Sequence, residues 1–247
     1  MNMLQGLTKE LFDEPVSMGE QRELRDFYLR EAMESTYEAA PMFANSSPRP
    51  PTRIFFDKGL KNTSTLAWYL DPREVKTTYP REGREIEMQL GSDEPLMAIN
   101  PNLVYIKDWK KHRSIAAHEG RHGSQPAKLL LKSVYAMTDN GILPLGEMLI
   151  EGSVEWSMEQ RNRKAPSTYM AEEHPRHTPM YTTFKNLIYD LEARQKGIVR
   201  QVYRAAQRGG PNAVVRLLNG VPGISELTNE YASKLNSRRN MPYARAA

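Results

Sequence analysis

Two histidines four residues apart place the strongest constraint on how this chain can fold. They are His118 and His122 in the segment His118-Glu119-Gly120-Arg121-His122. On an α-helix, residues four apart lie one turn above each other, so both imidazoles can bind one cation from the same face. The spacing therefore predicts a helix over residues 108–122. It also requires a third ligand from a distant segment that folds back against this helix.

Composition limits the chemistry in which such a pair can take part. The 247 residues include no cysteine, which rules out disulfides, thiolate zinc sites and cysteine nucleophiles. Any further metal ligand must therefore be histidine, aspartate or glutamate. The 34 basic residues only slightly outnumber the 30 acidic ones and are spread along the chain, so nucleic acid is not favoured as a partner.

The sequence also bears on where the protein works. No apolar run is long enough to form a transmembrane helix. The first residues, Met1-Asn2-Met3-Leu4-Gln5-Gly6, lack the basic segment and the apolar stretch of a secretory signal. We therefore expect a cytoplasmic protein without a membrane partner.

The first half of the chain combines a long helix with short strands. Apolar residues at helical spacing predict a helix over residues 18–40, which Pro41 ends. The proline-rich residues 46–51 predict a loop. Residues that favour strands then cluster in four short segments, which are 53–56, 64–70, 84–90 and 96–100.

Helices are predicted to dominate after residue 107. Gly123 to Pro126 end the histidine-bearing helix, and Ser124 is expected to cap a helix over residues 127–137. Further helices are predicted over 145–163, 179–207, 211–219 and 224–236. The pattern indicates an α+β fold with a small mixed or antiparallel sheet. We expect one domain over residues 1–247, with an N-terminal subdomain to about residue 122 and a helical C-terminal subdomain over 123–247.

The best source of a third ligand is the segment Leu149-Ile150-Glu151-Gly152-Ser153-Val154-Glu155-Trp156. Apolar residues occupy nearly every side of the predicted helix, so the helix is expected to be buried. Buried carboxylates need a partner, and a metal ion is one of the few adequate ones. Glu151 and Glu155 are therefore both candidate ligands, and Glu147 is a more distant one.

Together these residues resemble the gluzincin metallopeptidases, which have a zincin-like fold. In that family an HExxH helix supplies two histidine ligands and a general base, and a later Glu-Gly-x-x-x-aromatic segment supplies the third ligand. The resemblance implies His118, His122 and Glu151 as ligands of Zn²⁺. It also implies Glu119 as the catalytic base and Glu155 as a partner of one zinc-bound histidine.

The resemblance implies further expectations about activity. The protein would be a zinc-dependent hydrolase that cleaves peptide bonds in a peptide or protein substrate. The strand at residues 96–100 would form the sheet edge along which the substrate is held by backbone pairing. The oxyanion donor would come from a later segment, in which the candidates are Tyr169, His174, His177 and Tyr181. His112 is expected to be a surface residue.

Two alternatives remain open at the level of sequence. Arg121 and Gly120 differ from the usual peptidase pattern, which is compatible with a catalytically altered zincin scaffold that binds peptides or a partner. Alternatively, residues 115–122 could form a strand that runs into a tight turn, as in ParB-like nucleic-acid or nucleotide-binding domains. In that arrangement Arg121 would face phosphates.

Overall fold

The computed structural model describes residues 18–63, 65–90, 92–161 and 178–239, which form nine α-helices and five strands. The chain is α+β and mostly helical (67%), which confirms the predicted class. The helices are α1 (Met18–Ala39), α2 (Pro72–Thr78), α3 (Pro80–Leu90), α4 (Trp109–His122), α5 (Lys128–Leu131), α6 (Leu145–Arg161), α7 (Thr178–Arg194), α8 (Ile198–Asn219) and α9 (Ile224–Arg239). The strands are β1 (Arg53–Phe56), β2 (Ala67–Leu70), β3 (Leu96–Ile99), β4 (Ala136–Thr138) and β5 (Gly141–Leu143).

The main sheet has three strands in the order β1-β3-β2. β3 pairs with β1 in parallel and with β2 in antiparallel orientation, so the sheet is mixed. All four residues of β3 are apolar and buried, as expected for a strand that is covered on both faces. The prediction that residues 96–100 form the sheet edge is therefore wrong. The edge strands are β1 and β2.

Residues 84–90 belong to helix α3, so the strand predicted there is wrong. Pro80 stands at the start of α3, where its fixed φ angle favours a helix. Arg81 and Glu85, one helical turn apart, form an ion pair at 3.3 Å. A six-residue alternation of apolar and polar residues is too short to distinguish a strand from a helix by period alone.

The segment after the histidine-bearing helix also differs from the prediction. Only Lys128–Leu131 are helical, and a hairpin of β4 and β5 follows. Ser124 does not cap this short helix, because its hydroxyl donates instead to the Arg121 carbonyl oxygen at 2.5 Å. Thr138 pairs with Gly141 across the hairpin, and Gly141 has a φ of 107°, so glycine is needed there.

The predicted C-terminal helices are present with different boundaries. The helix predicted over 179–207 is divided into α7 and α8 at Gly197, whose φ is 80°. α8 then continues through a kink at Gly209 and Gly210 that the sequence predicted as a gap. Among the described helices, none is long and apolar enough to cross a lipid bilayer.

The buried apolar residues form two clusters that meet around α4 and α6. The first lies between one face of the main sheet, α1 and α4; its largest members include Tyr28, Met97, Ile99, Leu103 and Ile115. The second lies among α6, α7, α8 and α9; its largest members include Phe43, Met148, Phe184, Tyr203 and Tyr231. The histidine-bearing helix therefore belongs to the first cluster, and the predicted glutamate helix belongs to the second.

A close crossing of α1 and α4 explains the glycine within the histidine-bearing helix. A Cβ atom on Gly120 would lie 2.3 Å from the Ala32 carbonyl oxygen, so no other residue fits without a shift of the backbone. The Thr36 hydroxyl donates to the Gly120 carbonyl oxygen at 2.6 Å. The Ser35 hydroxyl donates to the Ala117 carbonyl oxygen at 2.9 Å. α1 thus holds α4 in place through backbone contacts.

Substitution Gly120→Ala is expected to lower the free energy of unfolding by about 2–3 kcal/mol, because the added methyl group overpacks the crossing. Denaturant titration followed by circular dichroism measures this change. Gly220→Ala is a matched control, since the nearest atom to its Cβ would be the Leu217 carbonyl oxygen at 3.3 Å and the site is exposed. Equal effects of the two substitutions would contradict the role given to the crossing.

Candidate metal centre

α4 presents both histidines on one face, as the sequence predicted. The Asp108 carboxylate begins the helix by accepting hydrogen bonds from the backbone of Lys110 at 2.9 Å and Lys111 at 3.3 Å. The rings of His118 and His122 lie 5.1 Å apart, centre to centre. Because residues 118–122 are helical, the strand and tight turn of the ParB-like alternative are wrong.

α6 brings the third candidate ligand to this face. Glu151 Oε2 lies 3.3 Å from His118 Nε2 and 3.5 Å from His122 Nε2. The ligand atoms of the three residues all lie within 4.8 Å of one another, a spacing at which they could hold one metal ion. The predicted convergence of His118, His122 and Glu151 is therefore present in the fold.

Gly152 allows α6 to reach this position. A Cβ atom on Gly152 would lie 2.4 Å from the Phe184 carbonyl oxygen, so α6 and α7 cross at backbone distance. The glycine after Glu151 is thus needed for packing between helices. The neighbouring Glu151 side chain keeps 22% of its surface exposed, so solvent reaches the cluster at this candidate ligand.

Glu155 contacts His118 from the side opposite the cluster. Its Oε1 accepts a hydrogen bond from His118 Nδ1 at 2.7 Å, and the residue is buried. This bond fixes a proton on Nδ1 and turns Nε2 toward Glu151 and the candidate metal position. The arrangement matches the partner role implied for Glu155 and not the alternative role as third ligand. Glu147 is exposed and lies outside the described cluster.

Gln125 is the corresponding hydrogen-bond partner of His122, a role that no sequence pattern indicated. Its Oε1 lies 2.7 Å from His122 Nδ1. Its Nε2 donates to the Ile150 carbonyl oxygen at 2.7 Å and lies 2.7 Å from the Tyr203 hydroxyl. Because the carbonyl oxygen of Ile150 can only accept, the amide nitrogen must face it and Oε1 must face His122. His122 Nδ1 therefore carries the proton, and Nε2 is available as a ligand.

The charges in the cluster depend strongly on one another. Burial favours the neutral form of Glu151, but the charge of His122 and the hydrogen bonds with both histidines hold its pKa well below the usual range. Burial also opposes the charged form of His118, yet hydrogen bonds with Glu151 and Glu155 and the charge of Glu155 raise its pKa well above the usual value. The raised pKa of His118 therefore favours its charged form beside the two carboxylates.

Glu119 stands next to His118 and remains largely unengaged. Only 8% of the residue is exposed. Among the described residues, no hydrogen bond or ion pair involves its carboxylate. Its negative charge lies near the buried ammonium group of Lys128, whose pKa burial lowers while Glu74, Asp71 and Glu119 partly compensate. A buried carboxylate of this kind can accept a proton from a group that enters the site.

Arg121 is a structural residue on the far side of α4. It is buried, and its Nη1 donates to the Ser157 hydroxyl of α6 at 3.1 Å. Its Nη2 lies 4.0 Å from the Glu38 carboxylate of α1. The arginine that departs from the usual peptidase pattern therefore links three helices, and its burial makes it unavailable to a phosphate.

The remaining candidates from the sequence fall in different places. The Tyr181 ring lies 6.0 Å from the His118 ring, centre to centre, so it borders the cluster. Tyr169, His174 and His177 lie outside the described residues. His112 is buried, and its Nε2 lies 2.8 Å from the Ile106 carbonyl oxygen. The prediction that His112 is a surface residue is wrong, because its ring packs beneath Trp109 and Tyr28.

Metal binding is expected to displace the proton from His118, so the apparent affinity should rise about tenfold per pH unit while His118 is protonated. Glu155→Gln removes the charge that helps to raise the pKa of His118. In this variant the increase of metal affinity with pH should therefore be less steep near neutral pH. Competition with a coloured chelator at several pH values measures both slopes. Glu159→Gln, on the same helix and paired with Lys185, is the control and should keep the original slope. Identical slopes in the Glu155 variant and the original protein would refute this coupling.

Comparison with known protein families, with curated proteins and with solved structures found no match in any of the three searches. The geometry of the cluster and the residues in it therefore carry the functional argument. The resemblance to the gluzincins depends on the HExxH segment and the Glu-Gly segment.

Proposed function

We propose that this protein is a zinc-dependent metallopeptidase of the gluzincin type with a zincin-like fold. His118, His122 and Glu151 would hold the zinc ion, and Glu119 would be the general base. The observation that carries the proposal is the convergence of three ligand atoms within 4.8 Å, with the Nδ1 atoms of both histidines occupied by Glu155 and Gln125. Two imidazoles and one carboxylate form a donor set that suits catalytic zinc.

The proposed chemistry uses the unengaged carboxylate of Glu119. Zinc bound by these ligands would acidify a water molecule and polarise the carbonyl group of the substrate. Glu119 would accept the proton of the attacking water as the new carbon–oxygen bond forms. It would then pass this proton to the nitrogen of the cleaved bond, which leaves as an amine. The carboxylate is thus returned to its starting state at the end of each cycle.

The edge of the main sheet supports an extended peptide as the substrate. β2 packs against α4, and no described strand pairs with its outer edge. An exposed edge offers backbone donors and acceptors to an extended chain, which can add as a further strand. Trp68, Tyr69 and Leu70 of β2 are half-buried and leave part of this edge accessible. A peptide held there would run alongside the histidine-bearing helix.

Purified protein is expected to contain about one zinc ion per chain, and His118→Ala should lose it because one of three ligands is removed. Glu119→Gln should keep the zinc but lower the rate of hydrolysis of a denatured protein substrate by about 100-fold or more, since the base is removed. Elemental analysis and a protease assay on the same preparations measure the two effects separately.

Glu23→Gln provides the matched control, because Glu23 is an exposed residue of α1 and the substitution makes the same change of charge. It should alter neither zinc content nor hydrolysis. A protein that retains zinc and cleaves no peptide would refute the peptidase proposal and favour the binding scaffold. A protein that binds no divalent metal would refute the metal site itself.

Tyr181 is proposed as the hydrogen-bond donor to the oxyanion, because its ring borders His118. Tyr181→Phe should therefore lower kcat by about 100-fold with little change in zinc content. Tyr189→Phe, at an exposed position on the same helix, is the control and should leave kcat unchanged. A kcat that is equal in both variants would contradict the donor role of Tyr181.

A further inference from the structure

A cavity of about 320 Å³ opens beside the metal ligand His122. One wall is the loop at residues 45–49, and a second is the chain from Tyr69 of β2 to Thr77 of α2. The third wall is the end of α4 with residues 123–127, and Gln207 of α8 lies at the rim. The cavity therefore shares His122 with the metal cluster and Tyr69 with the sheet edge. A peptide bound along β2 would pass Tyr69, which lines this cavity.

The charged groups in the cavity wall neutralise one another. Arg49 Nε lies 2.6 Å from the Asp71 carboxylate, whose side chain is only 7% exposed. Arg73 Nε lies 2.5 Å from Asp93. Glu74 lies 3.6 Å from the ammonium group of Lys128 and accepts a hydrogen bond from the Leu129 backbone at 2.9 Å. A charged side chain that entered this cavity would have no unpaired opposite charge to meet, so it would pay a desolvation cost without compensation.

The uncharged polar groups of the wall are less engaged. Among the described residues, no hydrogen bond involves the hydroxyl groups of Ser46 and Ser47 or the side-chain amide of Gln207. The Asn45 side chain is held by the Ser124 carbonyl oxygen at 3.0 Å and the Ser47 backbone at 2.9 Å, so the loop that carries the serines is fixed. The cavity thus offers donors and acceptors that suit an uncharged polar group.

We propose that this cavity is a side-chain subsite of the metal site and that it binds an uncharged amide side chain, glutamine or asparagine, of the peptide substrate. The inference rests on the proposed peptidase function, which it deepens by naming a substrate class. The Arg49–Asp71 pair sets the preference, because it keeps the charge of the wall balanced. Removal of either partner leaves the other charge facing the cavity.

The test measures binding rather than cleavage, so that it does not require turnover. Zinc-loaded Glu119→Gln protein is titrated with alanine-rich peptides that carry glutamine, glutamate or lysine at each position in turn. At one position in the peptide, the glutamine peptide should bind roughly tenfold more tightly than the glutamate or lysine peptide. Adding Asp71→Asn should reverse the order in favour of glutamate, and adding Arg49→Gln should reverse it in favour of lysine.

Asp71→Asn is well suited to this test, because asparagine can still cap α2 through the bond that Asp71 makes to the Arg73 backbone at 3.0 Å. Asp26→Asn makes the same change of charge on the exposed face of α1 and should not alter the order of the peptides. The subsite is refuted if no position discriminates, or if the Asp71 and Asp26 variants behave alike. If glutamine is selected in this assay but the unsubstituted, zinc-loaded protein cleaves no peptide, the peptidase function is refuted and the subsite stands.

Discussion

The hydrogen bond at Nδ1 of each histidine is the interaction on which the candidate metal site depends. An imidazole can present only one nitrogen to a given ion, and a partner at the other nitrogen fixes both its tautomer and its orientation. Glu155 supplies this partner to His118, and Gln125 supplies it to His122. Gln125 is itself held by α6 and by Tyr203 of α8. Contacts among α4, Gln125, α6 and α8 therefore orient the Nε2 atoms of both histidines toward one point.

Two glycines allow the helices that carry these residues to pack closely against their neighbours. Gly120 meets the Ala32 carbonyl group of α1, and Gly152 meets the Phe184 carbonyl group of α7. Each glycine within a helix costs about 1 kcal/mol relative to alanine. That cost is offset by the packing of the two helices that carry the candidate ligands, because each is held from behind by another helix. Arg121 adds a further link through Ser157 and Glu38.

The sequence predicted the parts of the site that depend on local spacing. The helix at 108–122 and the helix that carries Glu151 follow from residue spacing and periodicity, and both are present. The partner role of Glu155 was implied by the resemblance to the gluzincins and was not worked out from spacing. Gln125 could not be predicted, because its role depends on Tyr203, which is far away in the chain. The prediction of a strand at 84–90 was wrong because a short alternating segment also fits a helix. The prediction that β3 forms the sheet edge was wrong because strand order depends on long-range pairing, which local sequence does not specify.

Helix packing also places several carboxylates around His118, and their charge favours a bound metal ion. Glu151 and Glu155 both contact His118, and Glu119 lies beside it, so negative charge exceeds positive charge in a buried region. Without an ion, a proton shared with His118 supplies the compensation. A divalent cation supplies more charge at a point where three ligand atoms already face one another. α1 packs against α4, and α7 packs against α6, so contacts between helices help to bring the three candidate ligand atoms together.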